Sequence, residues 1–132
     1  MTTSPWPSEW LRGVLEACVL SQLDEGVTYG YAIATRLEQL GLGTIKGGTL
    51  YPLLNRLEQS GLVTVEWRAG AAGPGRKHFA LTDAGRRELQ DQGDAWVRFA
   101  ALTTAIVTAS GDGAARERPA AHPPTPSVVR TT

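Results

Sequence analysis

The chain has 132 residues, 13 basic against 13 acidic, with 42% hydrophobic and 20% charged side chains, which is the size and balance of one globular domain with no room for a second. Zero formal charge excludes a polycation, so any affinity for nucleic acid has to be local, and one cysteine with two separated histidines (Cys18, His78 and His122) excludes an intramolecular disulfide and a multi-cysteine zinc site. Apolar runs fall far short of the ~18 to 20 residues that cross a bilayer, and the first residues carry no basic-then-apolar leader pattern, so the expectation is a cytoplasmic protein without metal or other cofactor.

Residues 1–8, with Pro5 and Pro7, read as a flexible N-terminal arm, although Trp6 is too large an apolar group to ignore. Ser8 is placed to cap a first helix, with Glu9 adding negative charge to its first turn. In that helix Leu11, Leu15, Val19 and Leu23 recur on one face and Trp10, Val14 and Cys18 on an adjoining one. Two apolar faces need two partners, its own core and a second subunit. Gly26 closes the helix, and Thr28 is expected to cap a short second one carrying Ile33, Leu37 and Leu40, ending at Gly41. Beyond a Gly-rich loop, Thr49 is expected to cap a third helix, whose Leu50, Leu53, Leu54 and Leu57 follow the i, i+3, i+4, i+7 rule up to Gly61. Pro52 then falls in the first turn, where a missing N–H costs nothing.

Residues 62–68 alternate Val63, Val65 and Trp67 with Thr64, Glu66 and Arg68, the period of a strand, and a second strand is expected at 76–81 after the Gly-rich turn 69–75. Thr82 and Asp83 open a long fourth helix in which Leu89, Gln92, Trp96, Phe99, Thr103 and Ile106 step by three and four, the outline of a coiled-coil seam. From 110 to 132 the chain is rich in proline and poor in apolar residues and is expected to be a disordered tail. The fold class is mainly α with a small β-hairpin: a winged helix-turn-helix over 9–81 plus a long C-terminal dimerisation helix over 82–109. A homodimer is the expected assembly, held by Trp10, Leu89, Trp96, Phe99, Thr103 and Ile106.

Between Thr44 and Leu81 the basic residues Lys46, Arg56, Arg68, Arg76 and Lys77 face only two acidic ones, Glu58 and Glu66. The third helix combines Lys46 and the backbone N–H groups near Gly47, Gly48 and Thr49 at its positive end with Tyr51, Asn55 and Arg56 on its outer face. Such a helix suits the major groove of double-stranded DNA, with Arg76 and Lys77 as a wing on phosphates. The competing description is a solvated helix face and a charged edge strand. Trp10 and Trp96 on apolar helix faces either pack a dimer or sandwich a planar apolar effector across its axis, with Val14, Ala17, Cys18 and Ala100 lining the space. No nucleophile with a base, carboxylate pair or phosphate loop is present, so no enzyme is expected. A different class of protein, a protein–protein interaction module using the winged helix and fourth helix, stays open at this stage.

Four segments in order resemble the PadR-like transcriptional regulators: Leu11-Arg-Gly-Val-Leu-Glu16, Tyr29-Gly-Tyr31, Gly48-Thr-Leu-Tyr-Pro-Leu-Leu-Asn-Arg-Leu-Glu58, and Gly73-Pro-Gly-Arg-Lys-His-Phe-Ala-Leu-Thr82. The resemblance covers about residues 9 to 108 and is to the short subfamily with a single C-terminal helix. It implies a dimeric winged-helix repressor on an inverted-repeat operator of the ATGT and ACAT type, released by a small molecule such as a phenolic acid or planar aromatic compound. By that pattern Tyr29 and Tyr31 support or touch the DNA backbone, Thr49, Tyr51, Pro52, Asn55 and Arg56 face the major groove, and Arg76 and Lys77 serve the wing. Trp96 takes the place of the aromatic residue in the dimer pore. The chain departs from the pattern at Gly47, where many members carry glutamate, and at His78-Phe79, where Tyr-Tyr is more usual.

Overall fold

The computed structural model describes residues 4–70 and 73–109; residues 1–3 of the expected arm, Ala71 and Ala72, and the expected Pro-rich tail 110–132 lie outside the described residues. Seven elements follow in order: α1 (Ser8–Asp24), β1 (Thr28–Tyr29), α2 (Gly30–Gln39), α3 (Gly47–Gln59), β2 (Val63–Gly70), β3 (Gly73–Leu81) and α4 (Asp83–Ala109). The chain divides into two compact units, the first running to Trp96 and the second beginning at Val97, and α4 passes from one into the other.

The core belongs to the first unit. The periodic leucines fill it as their spacing requires: Leu15, Val19, Leu20 and Leu23 of α1, Ile33 and Leu37 of α2, and Leu50, Leu53, Leu54 and Leu57 of α3 are all buried, closed by Val63, Phe79 and Leu81 of the sheet. Cys18 and Leu89 pack against this cluster from its margin. Gln92 Nε2 donates to Glu16 Oε2 at 2.9 Å and to Glu88 Oε2 at 2.8 Å, tying the first half of α4 to α1.

The sheet has three antiparallel strands in the order β1-β3-β2, one more than the expected hairpin. Thr28 is not a helix cap: it pairs with Phe79, and Tyr29 pairs with His78, so α2 begins only at Gly30. The free edge of β3 accepts the extended Thr-Tyr pair from about fifty residues away, a partner that local sequence does not reveal. In the hairpin itself, Val63 lies opposite Leu81, Val65 opposite Phe79 and Trp67 opposite Lys77, with a bulge between Arg68 and Gly70.

Two other caps are also displaced. Pro7, not Ser8, is the residue before α1, and its carbonyl accepts the Trp10 and Leu11 N–H groups at 3.0 and 3.2 Å. In α3, Lys46 takes that place and its carbonyl accepts the Thr49 and Leu50 N–H groups, both at 2.9 Å, with no side-chain cap. The helix therefore starts three residues earlier than expected, and Pro52 stands sixth in it, beyond the tolerated first turn. Its missing N–H leaves the Gly48 carbonyl without the i−4 bond it would receive. The expected cap at Thr82 is observed: its hydroxyl accepts the Gly85 N–H at 3.0 Å and donates to the Gly61 carbonyl at 2.8 Å, fastening the start of α4 to the end of α3.

Candidate nucleic-acid interface

Burying four leucines turns the opposite face of α3 outward, so Thr49, Tyr51, Pro52, Asn55 and Arg56 are exposed together. At the N-terminal end Lys46, Gly47 and Gly48 are also exposed, where the helix dipole and unpaired N–H groups favour an anion. Among the described residues no carboxylate pairs with Lys46, Arg56, Arg76 or Lys77, so their charges are available. Arg68 is different: its Nε sits 2.6 Å from Glu66 Oε2, which removes one cation from the basic segment.

Tyr51 is half-exposed because its ring lies against the backbone of Gly30. A Cβ on Gly30 would stand 2.5 Å from the Tyr51 hydroxyl and 2.6 Å from the ring. This close approach joins the first residue of α2 to the outer face of α3 and explains why glycine separates Tyr29 from Tyr31. Tyr31, 69% exposed, projects from α2 on its own. Tyr29 instead turns toward the sheet: its ring is 5.3 Å from that of His78, and the Arg76 guanidinium lies 4.4 Å over it. Arg76 is thus held against β1 by a cation–π contact. Lys77 leans its ammonium over Phe79 at 5.8 Å.

The structure therefore brings Lys46, Gly48, Thr49, Tyr51, Pro52, Asn55 and Arg56 onto one helix and groups Tyr29 with Arg76. Sequence reading missed four residues of this region. Gly30 was legible only as part of Tyr-Gly-Tyr, Trp67 is 68% exposed on the wing although its alternation suggests burial, and Trp6 and Ser4 reach the loop before α3.

Elsewhere in the first unit, Trp10 is 64% exposed, Val14, Ala17 and Trp96 are half-buried, and burial pushes the half-buried Cys18 thiol above its ordinary pKa. In the second unit Val97, Phe99, Leu102, Ile106 and Val107 are exposed along α4, and so are Ala100 and Thr103. Leu89, expected in the same seam, is partly spent on the core of the first unit. Among the described residues no cluster of three metal-ligating side chains occurs, and no helix is long and apolar enough to cross a membrane.

A three-helix core in which α3 follows α2 across a short loop, flanked by the β2–β3 hairpin, defines a winged helix-turn-helix protein. The model of the transcriptional regulator PadR-like family matches residues 19–91, and this chain belongs to that family, one of transcriptional regulators and not of enzymes. A PadR-like regulator from Bacillus cereus superposes with a TM-score of 0.67 at 30% identity, covering 75% of this chain and 96% of that one. A PadR family regulator from Eggerthella lenta gives 0.68 at 38% identity, over 75% and 86% of the two chains. Among curated proteins, the transcriptional regulator YqjI of Escherichia coli is 31% identical over 82 residues, which is 61% of this chain but only 38% of that protein.

Proposed function

We propose that the chain is a homodimeric repressor that binds an inverted-repeat operator with α3 in the major groove and the β2–β3 wing on the flanking phosphates. The observation that carries this is the outer face of α3, where Tyr51, Asn55 and Arg56 stand exposed above four buried leucines. Asparagine and arginine are the side chains whose paired polar atoms match adenine and guanine edges, and the Lys46 end of the helix suits a phosphate. Tyr29, Tyr31, Arg76 and Lys77 support or touch the backbone around this contact.

The dimer is supported by the row Val97, Phe99, Leu102 and Ile106, too apolar to be left to water along one helix. Two α3 helices bound in successive major grooves stand ~34 Å apart. An apolar, planar effector against Trp10 and Trp96 releases the operator if it favours a spacing that the DNA does not match, since only differential affinity for two states shifts their populations.

The test is titration of the purified protein with fluorescent duplex from its own upstream region against random duplex over a salt series, alongside sedimentation. A competitor-resistant complex with a steep salt slope is expected, formed by a dimer. Equal, weak binding to both duplexes refutes specific recognition, no retardation at low salt favours the partner-recruiting module, and a monomer at micromolar concentration refutes the assembly.

A further inference from the structure

The segment before α1 has a use that the DNA contacts do not account for. Ser4 Oγ donates to the Leu42 carbonyl at 3.0 Å and accepts the Trp6 N–H at 3.2 Å, while Trp6 Nε1 donates to the Gly41 carbonyl at 2.9 Å. Two consecutive carbonyls at the end of α2 are thus held from outside the helix pair. Gly43, with φ of +91°, completes the fit: a Cβ there would stand 2.5 Å from Ser4 Cα. Only glycine both adopts that backbone and admits the arm. The contact is polar more than apolar, since Trp6 is 47% exposed and a cavity of about 500 Å3 lies between it, Arg12, Leu15, Ile45, Lys46 and Thr49.

Three residues beyond Gly43 comes Lys46, whose carbonyl starts α3. We infer that Ser4 and Trp6 are positioning residues that brace the loop 41–46 and so set the first turn of α3. The loop also carries bonds of its own, such as Leu42 N–H to the Leu37 carbonyl at 3.0 Å, and the brace adds to them the two carbonyl contacts made by Ser4 and Trp6. Loop residues held by few contacts open locally and often. Lys46 and the exposed N–H groups of the first turn would then sample many placements, and only a fraction would suit an operator, lowering apparent affinity in proportion. The inference rests on the DNA-binding reading only for this last step.

The test compares Trp6→Ala, Trp6→Phe and Ser4→Ala with the unaltered protein; the exposure of Trp6 leaves folding intact, checked by the melting temperature. Amide hydrogen exchange is followed in free protein at Leu42, Thr49 and Leu50. Trp6→Ala should speed exchange there by about 3- to 10-fold, the equivalent of one hydrogen bond, while Leu54 and Leu57 stay unchanged. Trp6→Phe, which keeps the ring but loses the N–H, should reproduce most of it. Operator affinity should fall by a similar factor and affinity for random duplex by less, since base contacts depend on register and phosphate contacts adapt. Unchanged exchange at the three amides overturns the brace whatever happens with DNA. Altered exchange with undiminished operator affinity overturns its link to α3, provided Arg56→Ala still weakens the operator complex. If Arg56→Ala has no effect either, the DNA-binding reading fails and the brace stands on exchange alone.

Discussion

Gly30→Ala adds one methyl group and removes nothing. At the first residue of α2, alanine is a better helix former than glycine by at most ~1 kcal/mol. Against that gain, the new Cβ would lie 2.5 to 2.6 Å from the hydroxyl, Cε1 and Cζ of Tyr51, far inside van der Waals contact. The colliding atoms are the far end of a side chain that is 45% exposed, so the ring swings outward and the helices stay in place. Displacing it costs about 1 to 2 kcal/mol, the range of an off-rotamer side chain or mild overpacking. The net loss of stability is therefore small, about 1 kcal/mol or less, while Tyr51 leaves its place on the face proposed to meet DNA. Operator affinity should drop by about 10-fold, read by fluorescence anisotropy at fixed salt. The double-mutant cycle with Tyr51→Ala isolates the cause: in that background Gly30→Ala should be neutral or slightly stabilising, with a coupling of about 1 kcal/mol in denaturant unfolding. Additivity within ~0.5 kcal/mol would refute the claim that the ring and the glycine occupy one space.

Arg56→Ala should weaken operator binding by about 1 to 3 kcal/mol and random duplex much less; equal losses on both would make it a phosphate clamp. Lys77→Ala should lower the salt slope by about one phosphate contact while leaving sequence preference intact. Leu54→Ala, at a site with no exposed surface, should cost about 2 to 5 kcal/mol in denaturant unfolding, and a loss under 1 kcal/mol would contradict the packed core. Cys18 should react with iodoacetamide more slowly at pH 8 than a cysteine peptide and recover that rate in urea, because burial raises its pKa in the folded state and keeps it a thiol. Ionisation is then easier for the unfolded chain, so stability should decline as pH rises above the unfolded thiol's ordinary value of about 8.5, an effect that Cys18→Ala removes.

What could be foreseen here follows from periodicity. Leu50, Leu53, Leu54 and Leu57 bury one side of α3 at any position of its cap, so Asn55 and Arg56 had to face outward once that helix formed. The same rule put Ile33 and Leu37 on one face of α2, strand alternation put Val63 and Val65 on one face of β2, and the Thr82 hydroxyl found its expected N–H because a cap is a bond between residues three apart. Trp67 shows where alternation stops being informative: it keeps the inward parity of Val63 and Val65 yet stays 68% exposed, because the wing runs past the edge of the core.

The contacts that refine the site have no local signature. Thr28 became a strand and not a cap because Phe79 offered an unpaired edge, and Lys46 displaced Thr49 because the chain enters α3 three residues early. Tyr51 over Gly30, Arg76 over Tyr29 and Trp6 on Gly41 each join residues at least 20 positions apart. Side-chain period is a property of one element and survives in the sequence, so the sequence by itself determined the helices, their buried faces and the order that makes a winged helix. Where elements meet is a property of pairs that the backbone brings together only on folding, so the placement of Tyr51, the anchoring of Arg76 and the bracing of the loop before α3 were decided by the tertiary structure.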